Sequence, residues 1–405
     1  MNFVWVAAYF LGSASAASFP QENDIEFPDA QVEGIFRTLK DRADHNATFK
    51  AILDAHLAKY DSHNDLYSTA INFECNLTAS ASKPTTAHEV RPSDINVIGA
   101  IGDSITAGFG ITATNILQVL RNDRHLSWIT GGLKSLDEGV VTLTNILRKF
   151  NAGLTGYSYA RSLSGSKKAG LNLSVGGAVA ADLDGQAKRL IGKMKDSMYG
   201  VDWENDWKLI SLLIGGNDLC RYCKRQEKYS PESFAANIKS ALDILHAEMP
   251  KTIVVLSNIF DITPLPAFSD GIICDIVQTA VCSCAKKKDQ MQEAHRAYTK
   301  RVNDVINSGR YDRGRQDFTV VLMPQFEDAM PPNIPGSDEP DQAFWAPDCF
   351  HPGRKAHFAM ATSTWNQMFE PVGEKRTSLD WQIGSNLVCP TENDPYIKTL
   401  LNSKR

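Results

Sequence analysis

The chain has no excess of basic residues: across 405 residues, 42 Lys and Arg stand against 47 Asp and Glu, a formal net charge of -5 and a pI near 6.0. That excludes a nucleic acid partner, whose phosphates call for a basic surface. Long apolar runs are also missing. After the N-terminus no stretch reaches the roughly 18 residues that span a bilayer, so no transmembrane anchor is expected. Internal repeats and low-complexity blocks are absent too, which leaves an ordinary globular chain. Its 43% hydrophobic and 22% charged residues fit that class, and the length suffices for one large domain or two.

What is present begins at the N-terminus. MNFVWVAAYFLGSASAAS carries an apolar run from Phe3 to Leu11, then small residues through Ala17, with no Lys or Arg ahead of it. That pattern predicts a secretory signal peptide over residues 1–17, cleaved near Ala16 or Ala17. Export would also suit three N-x-S/T sequons, at Asn46, Asn76 and Asn172, read as glycosylation sites. The eight cysteines (Cys75, Cys220, Cys223, Cys274, Cys282, Cys284, Cys349, Cys389) are even in number, as a disulfide-bonded secreted protein would have. Cys220-x-x-Cys223 and Cys282-x-Cys284 leave zinc or redox chemistry open as an alternative. Pairing is not readable, since eight cysteines allow on the order of a hundred arrangements.

Residues 18–92 read as an N-terminal helical extension and connector. Val32, Ile35, Phe36 and Leu39, and again Phe49, Ile52, Leu53 and Leu57, recur three or four apart, predicting one or two amphipathic helices within Asp29–Tyr60. A Ser/Thr/Pro-rich connector at 75–94 leads into the main domain, 93–372, and residues 373–405 form a tail packed on it. Within the domain, short apolar runs alternate with helical patterns. A buried strand is expected from Ile95, then strands at Trp207–Ile214, Thr252–Ile259 and Phe318–Met323. Helices are expected at Ser230–Met249, Asp289–Ile306 and His357–Phe369. Such alternation implies a mainly parallel sheet with helices on both faces. The long loops Asp261–Lys288 and Pro324–Pro347 follow strand ends, where ligands of open α/β sheets sit.

Four short motifs carry candidate chemistry. Gly102-Asp103-Ser104 ends the first strand and sets Ser104 at the first turn of the next helix, near outward-pointing N–H groups. By itself the motif reads first as a strand-to-helix turn with a serine N-cap. Asp348-Cys349-Phe350-His351 spaces a carboxylate one turn from an imidazole, so Asp348 can reach Nδ1 of His351 and fix its tautomer. Gly215-Gly216-Asn217-Asp218 comes straight off a strand, where a side-chain amide can donate to a developing oxyanion. Gly176-Gly177 could present a backbone N–H to the same oxygen; read alone, both glycine pairs are plain turns.

Taken in order, these blocks resemble the SGNH (GDSL-type) hydrolase superfamily. PTTAHEVRPSDINVIGAIGDSITAGFG, WKLISLLIGGNDLCRYC, SPESFAANIKSALDIL, DCFHPG, WNQMFEPVG and CPTENDPYIKTLLNSKR are similar to the animal phospholipase B branch, membrane-associated phospholipase B included. The resemblance covers roughly residues 75 to 405. It implies an α/β fold, a three-layer α/β/α sandwich on a mainly parallel five-stranded sheet. It implies Ser104 as nucleophile, His351 as general base and Asp348 as its orienting acid. The oxyanion hole would be Ser104 N–H, Gly177 N–H and the Asn217 side chain, with no metal and no cofactor. Gly176 departs from the residue expected before Gly177. A Gly-x-Ser-x-Gly elbow is absent, which sets aside the ordinary lipase fold.

The implied activity is hydrolysis of acyl esters of glycerophospholipids and lysophospholipids at a micelle or membrane surface, by a secreted serine hydrolase acting through an acyl-enzyme on Ser104. Because the chain ends at Arg405 without an apolar tail, a soluble, secreted protein without an anchor is expected, and a monomer is expected as well. Two rivals remain at this point. One is a carbohydrate or small-ester deacetylase on the same fold, and the other is a catalytically silent secreted lipid-binding protein.

Overall fold

The computed structural model describes residues 39, 41–60, 70–268, 271–330 and 332–403. The predicted signal peptide and most of the first half of the Asp29–Tyr60 extension lie outside the described residues. In the second half, Asn46 caps α1 (Ala47–Ala58), its side chain accepting from Phe49 N at 3.0 Å.

The apolar runs form strands as their composition requires. β1 (Ile95–Gly102) is followed by two short helices, α2 (Ser104–Ala107) and α3 (Leu143–Leu147), and then by α4 (Leu183–Lys195). β2 (Trp207–Leu213) leads through α5 (Gly216–Tyr222) into α6 (Pro231–Glu248). β3 (Thr252–Ser257) precedes α7 (Ile272–Val281) and α8 (Lys288–Asn307), and β4 (Phe318–Met323) precedes α9 (Arg354–Gln367). The α6 boundaries follow local chemistry: Ser230 caps the N-terminus, Pro231 takes the first helical position and Pro250 stands past the end. Helix α9 starts three residues before the expected His357, directly after the cap residue Gly353.

All four strands pair in parallel, in the order β1-β2-β3-β4. Strand side chains alternate between two faces. Ile98, Leu209, Ile253 and Val321 join a core closed by Ile146 of α3 and Phe358 and Trp365 of α9. Val97, Ile210, Val254 and Val320 join the opposite core, closed by Leu190 of α4, Leu242 of α6 and Tyr298 of α8. These are the three layers the sequence implies.

Five strands were expected, and among the described residues four form. The fifth place, outside β1, is held by two separated pieces. Thr155 bridges Val97 and Asn172 bridges Ala100, both parallel, and Val175 N donates to Gly102 O at 3.1 Å. Between them the chain leaves the ladder at Gly156 (φ 92) and returns at Gly170 (φ 56). A Cβ on Gly156 would lie 2.3 Å from Ile98 O, and one on Gly170 would lie 2.3 Å from Gly156 O, so this crossing of backbones is open to glycine alone. The consequence for function is topological. The chain goes outward after β1 and then to the other side with β2, so a crevice opens at the carboxyl end of β1.

The tail packs on the domain. Ile397 is buried with its N–H donating to Val90 O at 2.9 Å, and Lys398 N donates to Met368 O at 2.7 Å. All eight cysteines pair, as Cys75–Cys389, Cys220–Cys282, Cys223–Cys284 and Cys274–Cys349. The zinc or redox alternative for the two close cysteine pairs therefore has no free thiol to act through. Of the three sequons, Asn46 and Asn76 are exposed, but Asn172 is a correction. It is 0% exposed, and its amide donates to Thr106 O and Thr130 Oγ1, both at 2.8 Å, while its Oδ1 accepts from Arg124 at 2.9 Å. A side chain so enclosed leaves no room for a glycan on the folded chain. The sequon triplet carries no information on burial.

Candidate active site

Gly102 ends β1 with φ 155, a conformation that brings it so close to β2 that a Cβ would lie 2.3 Å from Leu213 O. The next residue, Asp103, caps α2 through a bond from Ile105 N at 3.0 Å, which sets Ser104 as the first helical residue. Ser104 is 5% exposed at the crevice.

His351 arrives from the far end of the chain. Its Nε2 lies 2.8 Å from Ser104 Oγ and its Nδ1 lies 2.5 Å from Asp348 Oδ2. The other carboxylate oxygen, Asp348 Oδ1, accepts from His351 N at 3.0 Å and Phe350 N at 3.2 Å. Burial pushes the Asp348 carboxyl up, but the charge of His351 and these hydrogen bonds outweigh it and hold the group below its ordinary value. An ionised Asp348 keeps the proton on Nδ1, so Nε2 faces the serine hydroxyl as an acceptor.

The loop that carries this pair is gripped from several sides. Cys349 sits at φ 54, a left-handed backbone that costs a non-glycine residue about 1–2 kcal/mol. It is tied to α7 by the disulfide to Cys274 and by Gln278, whose amide donates to Cys349 O at 2.9 Å. His56 of α1 lies 2.7 Å from Pro347 O, one residue before Asp348. The imidazole of His351 is flanked by Phe350 and Phe109, with ring centroids at 5.1 and 5.8 Å. Nearby His357 is buried, and burial first, then the charge of His351, pushes it down to about 3, so it adds no competing positive charge.

Asn217 and Ser104 line the same cleft. The Asn217 amide donates one hydrogen to Ala178 O at 3.0 Å, which leaves its second hydrogen for another acceptor. Gly177, at φ 74, lies outside the cleft lining but on the loop Asn217 holds. Asp218 holds the same loop, accepting from Ala180 N at 3.1–3.2 Å. Val175 ties the other end to β1. Asp218 and Asp103 belong to the same two motifs, and their roles are visible only in the structure. Both are buried. Desolvation pushes Asp218 up to about 8 and Asp103 up to about 6. Their adjacency to Asn217 and Ser104 was the available signal.

The cleft around Ser104 is narrow and partly open to solvent. Its walls are mainly apolar: Ile105, Leu213, Ile214, Phe260, Ile262, Leu265, Ala329, Trp345 and Phe350, with Asp103, Ser104, Asn217 and Asp261 as the polar side chains. An apolar cleft with a few convergent polar groups is the ordinary form of a small-molecule site. Among the described residues the one group of candidate metal ligands is His56, Cys274 and Cys349, whose cysteines are already joined in a disulfide. The donor set is therefore not one that would hold a metal.

A family model described as GDSL-like Lipase/Acylhydrolase matches residues 98–363. The sequence is also similar to membrane-associated phospholipase B1 of mouse, rat and human. It is 41% identical to the mouse protein over 80% of this chain, 42% to the rat protein over 80%, and 42% to the human protein over 79%. The chain spans about a fifth of the length of these relatives, 22%, 23% and 22% respectively.

Proposed function

The chain belongs to the GDSL-like lipase/acylhydrolase family, a hydrolase of the esterase and lipase type, and from that premise we propose that it cleaves acyl ester bonds of glycerophospholipids and lysophospholipids through an acyl-enzyme on Ser104. One observation carries the reading: Ser104 Oγ, His351 and Asp348 form a continuous hydrogen-bonded chain whose serine lines an apolar cleft.

His351 takes the hydroxyl proton as Ser104 Oγ attacks the ester carbonyl. The tetrahedral oxyanion is met by Ser104 N–H, Gly177 N–H and the second hydrogen of the Asn217 amide. Collapse breaks the ester C–O bond, and the proton on His351 passes to the leaving alcohol, a lysophospholipid or glycerophosphodiester. Water then repeats the cycle on the acyl-enzyme, releasing the fatty acid and restoring Ser104.

The aliphatic part of the lining, Ile105, Leu213, Ile214, Ile262 and Leu265, favours a long acyl chain over an acetyl group, since each buried methylene contributes about 0.8 kcal/mol. Secretion is part of the proposal, supported by the N-terminal signal-like segment and by four disulfides. Among the described residues no helix is long and apolar enough to cross a membrane. The test is product analysis on a phosphatidylcholine labelled differently in its two acyl chains, wild type against Ser104→Ala. Release of labelled fatty acid by the wild type alone supports the proposal. Equal release by both, or release of neither label by the wild type, contradicts it.

A further inference from the structure

The cleft wall holds a feature that the ester chemistry does not use. Asp261, half-buried after the end of β3, lines the same cavity as Ser104. One of its oxygens accepts from Thr263 N at 2.9 Å, which fixes the side chain in a local turn, and its backbone N–H donates to Phe326 O at 3.0 Å. Among the described residues it makes no ion pair, and no Lys or Arg lines the cleft. Three aromatic side chains line it with Asp261: Phe260, Trp345 and Phe350.

A carboxylate that shares a cleft with aromatic rings, with no Lys or Arg in the lining, is complementary to positive charge. Ring faces attract quaternary and primary ammonium groups, and the carboxylate adds Coulomb attraction that apolar walls strengthen. A phosphate with no balancing cation of its own meets repulsion there. Building on the glycerophospholipid reading above, we infer that Asp261, with Phe260, Trp345 and Phe350, forms the subsite for the cationic end of a zwitterionic headgroup and sets headgroup preference. Lipids whose headgroup carries an ammonium are thereby favoured over those with a neutral glycerol or free phosphate headgroup.

The experiment compares kcat/KM on mixed micelles of choline-headed and glycerol-headed phospholipids with identical acyl chains, for wild type, Asp261→Asn and Asp261→Glu. The expected result is a choline-to-glycerol ratio that falls about tenfold in Asp261→Asn, through KM, and recovers in Asp261→Glu. A ratio unchanged in Asp261→Asn overturns the inference, even if both activities fall together. A second measurement needs no variant. In the wild type, octyltrimethylammonium below its micelle-forming concentration should inhibit hydrolysis of a soluble short-chain ester more strongly than octyl sulfate, and equal inhibition contradicts the subsite. That arm still reads the subsite if the wild type proves inactive on phospholipids, so the two proposals fail separately.

Discussion

Replacing Asp348 by Asn changes one atom and should disable the serine. The carboxylate accepts three bonds, from Nδ1 of His351 at 2.5 Å and from the backbone N–H groups of His351 and Phe350 at 3.0 and 3.2 Å. An asparagine can satisfy only one side of this set. With its oxygen toward the imidazole, its NH2 would face two buried N–H donors, at a cost of about 1–3 kcal/mol for each group left unsatisfied. The opposite orientation therefore wins, and the NH2 faces Nδ1. The imidazole must then carry its proton on Nε2, where it donates to Ser104 Oγ and cannot take the serine proton. The expected fall in kcat is about 10³–10⁴, with KM changed only a few-fold, as for the equivalent change in other serine triads. Steady-state kinetics on a soluble ester and thermal unfolding would be measured together. A kcat within tenfold of wild type, in a variant that remains folded, would refute the tautomer argument. The pH sign is fixed as well. Because the folded pKa of Asp348 lies below its ordinary 3.8, its stabilising contribution is present at neutral pH and lost only as pH falls through that depressed value.

Four further outcomes follow from the same geometry. Gly110→Ala should lower stability by about 1–3 kcal/mol and reduce kcat, because at φ 80 its Cβ would sit 2.6 Å from Ala346 Cβ and 3.2 Å from His351 Cβ; denaturant melts and kinetics check both. Replacing Cys274 and Cys349 together by Ser opens a loop closed across 75 residues and should cost about 2–4 kcal/mol, with kcat falling as the Asp348–His351 loop loosens. Asp218 binds its proton more tightly when folded (about 8 against an ordinary 3.8), so its contribution is full below the ordinary value and declines as pH rises toward about 8. Asp218→Asn should therefore gain stability relative to wild type across that window, measured by melts at several pH values. Peptide mapping of protein expressed through a secretory pathway should find glycan at Asn46 or Asn76 and none at Asn172, whose change to Ala should instead destabilise the fold.

Local signals were strong where one element decided the outcome. Ser230 and Pro231 fixed the start of α6, and the apolar run of β4 gave its boundaries at Phe318 and Met323 without error. Tertiary contacts decided the rest. Among the described residues the fifth edge strand is broken in two where Gly156 and Gly170 cross closely, and no local pattern marks a meeting of residues fourteen apart. Helix α7 falls within the expected loop Asp261–Lys288, because its ten residues follow a Pro- and Gly-containing stretch, run straight into Cys282 and Cys284, and pack against α1, a contact distant in sequence. At the candidate site, Ser104, Asp348 and His351 could be named from motif spacing and resemblance. Their convergence could not be read, since 247 residues separate the serine from the histidine. The support from Cys274, Gln278 and His56 was invisible for the same reason.

The central claim is that Ser104 is the nucleophile, and a fluorophosphonate tests it most directly because it forms a covalent bond only with an activated serine. Stoichiometric labelling followed by peptide mass spectrometry should place one adduct per chain, on Ser104, with ester hydrolysis lost in proportion to labelling. An adduct on another residue, or hydrolysis that survives complete labelling of Ser104, would contradict the account.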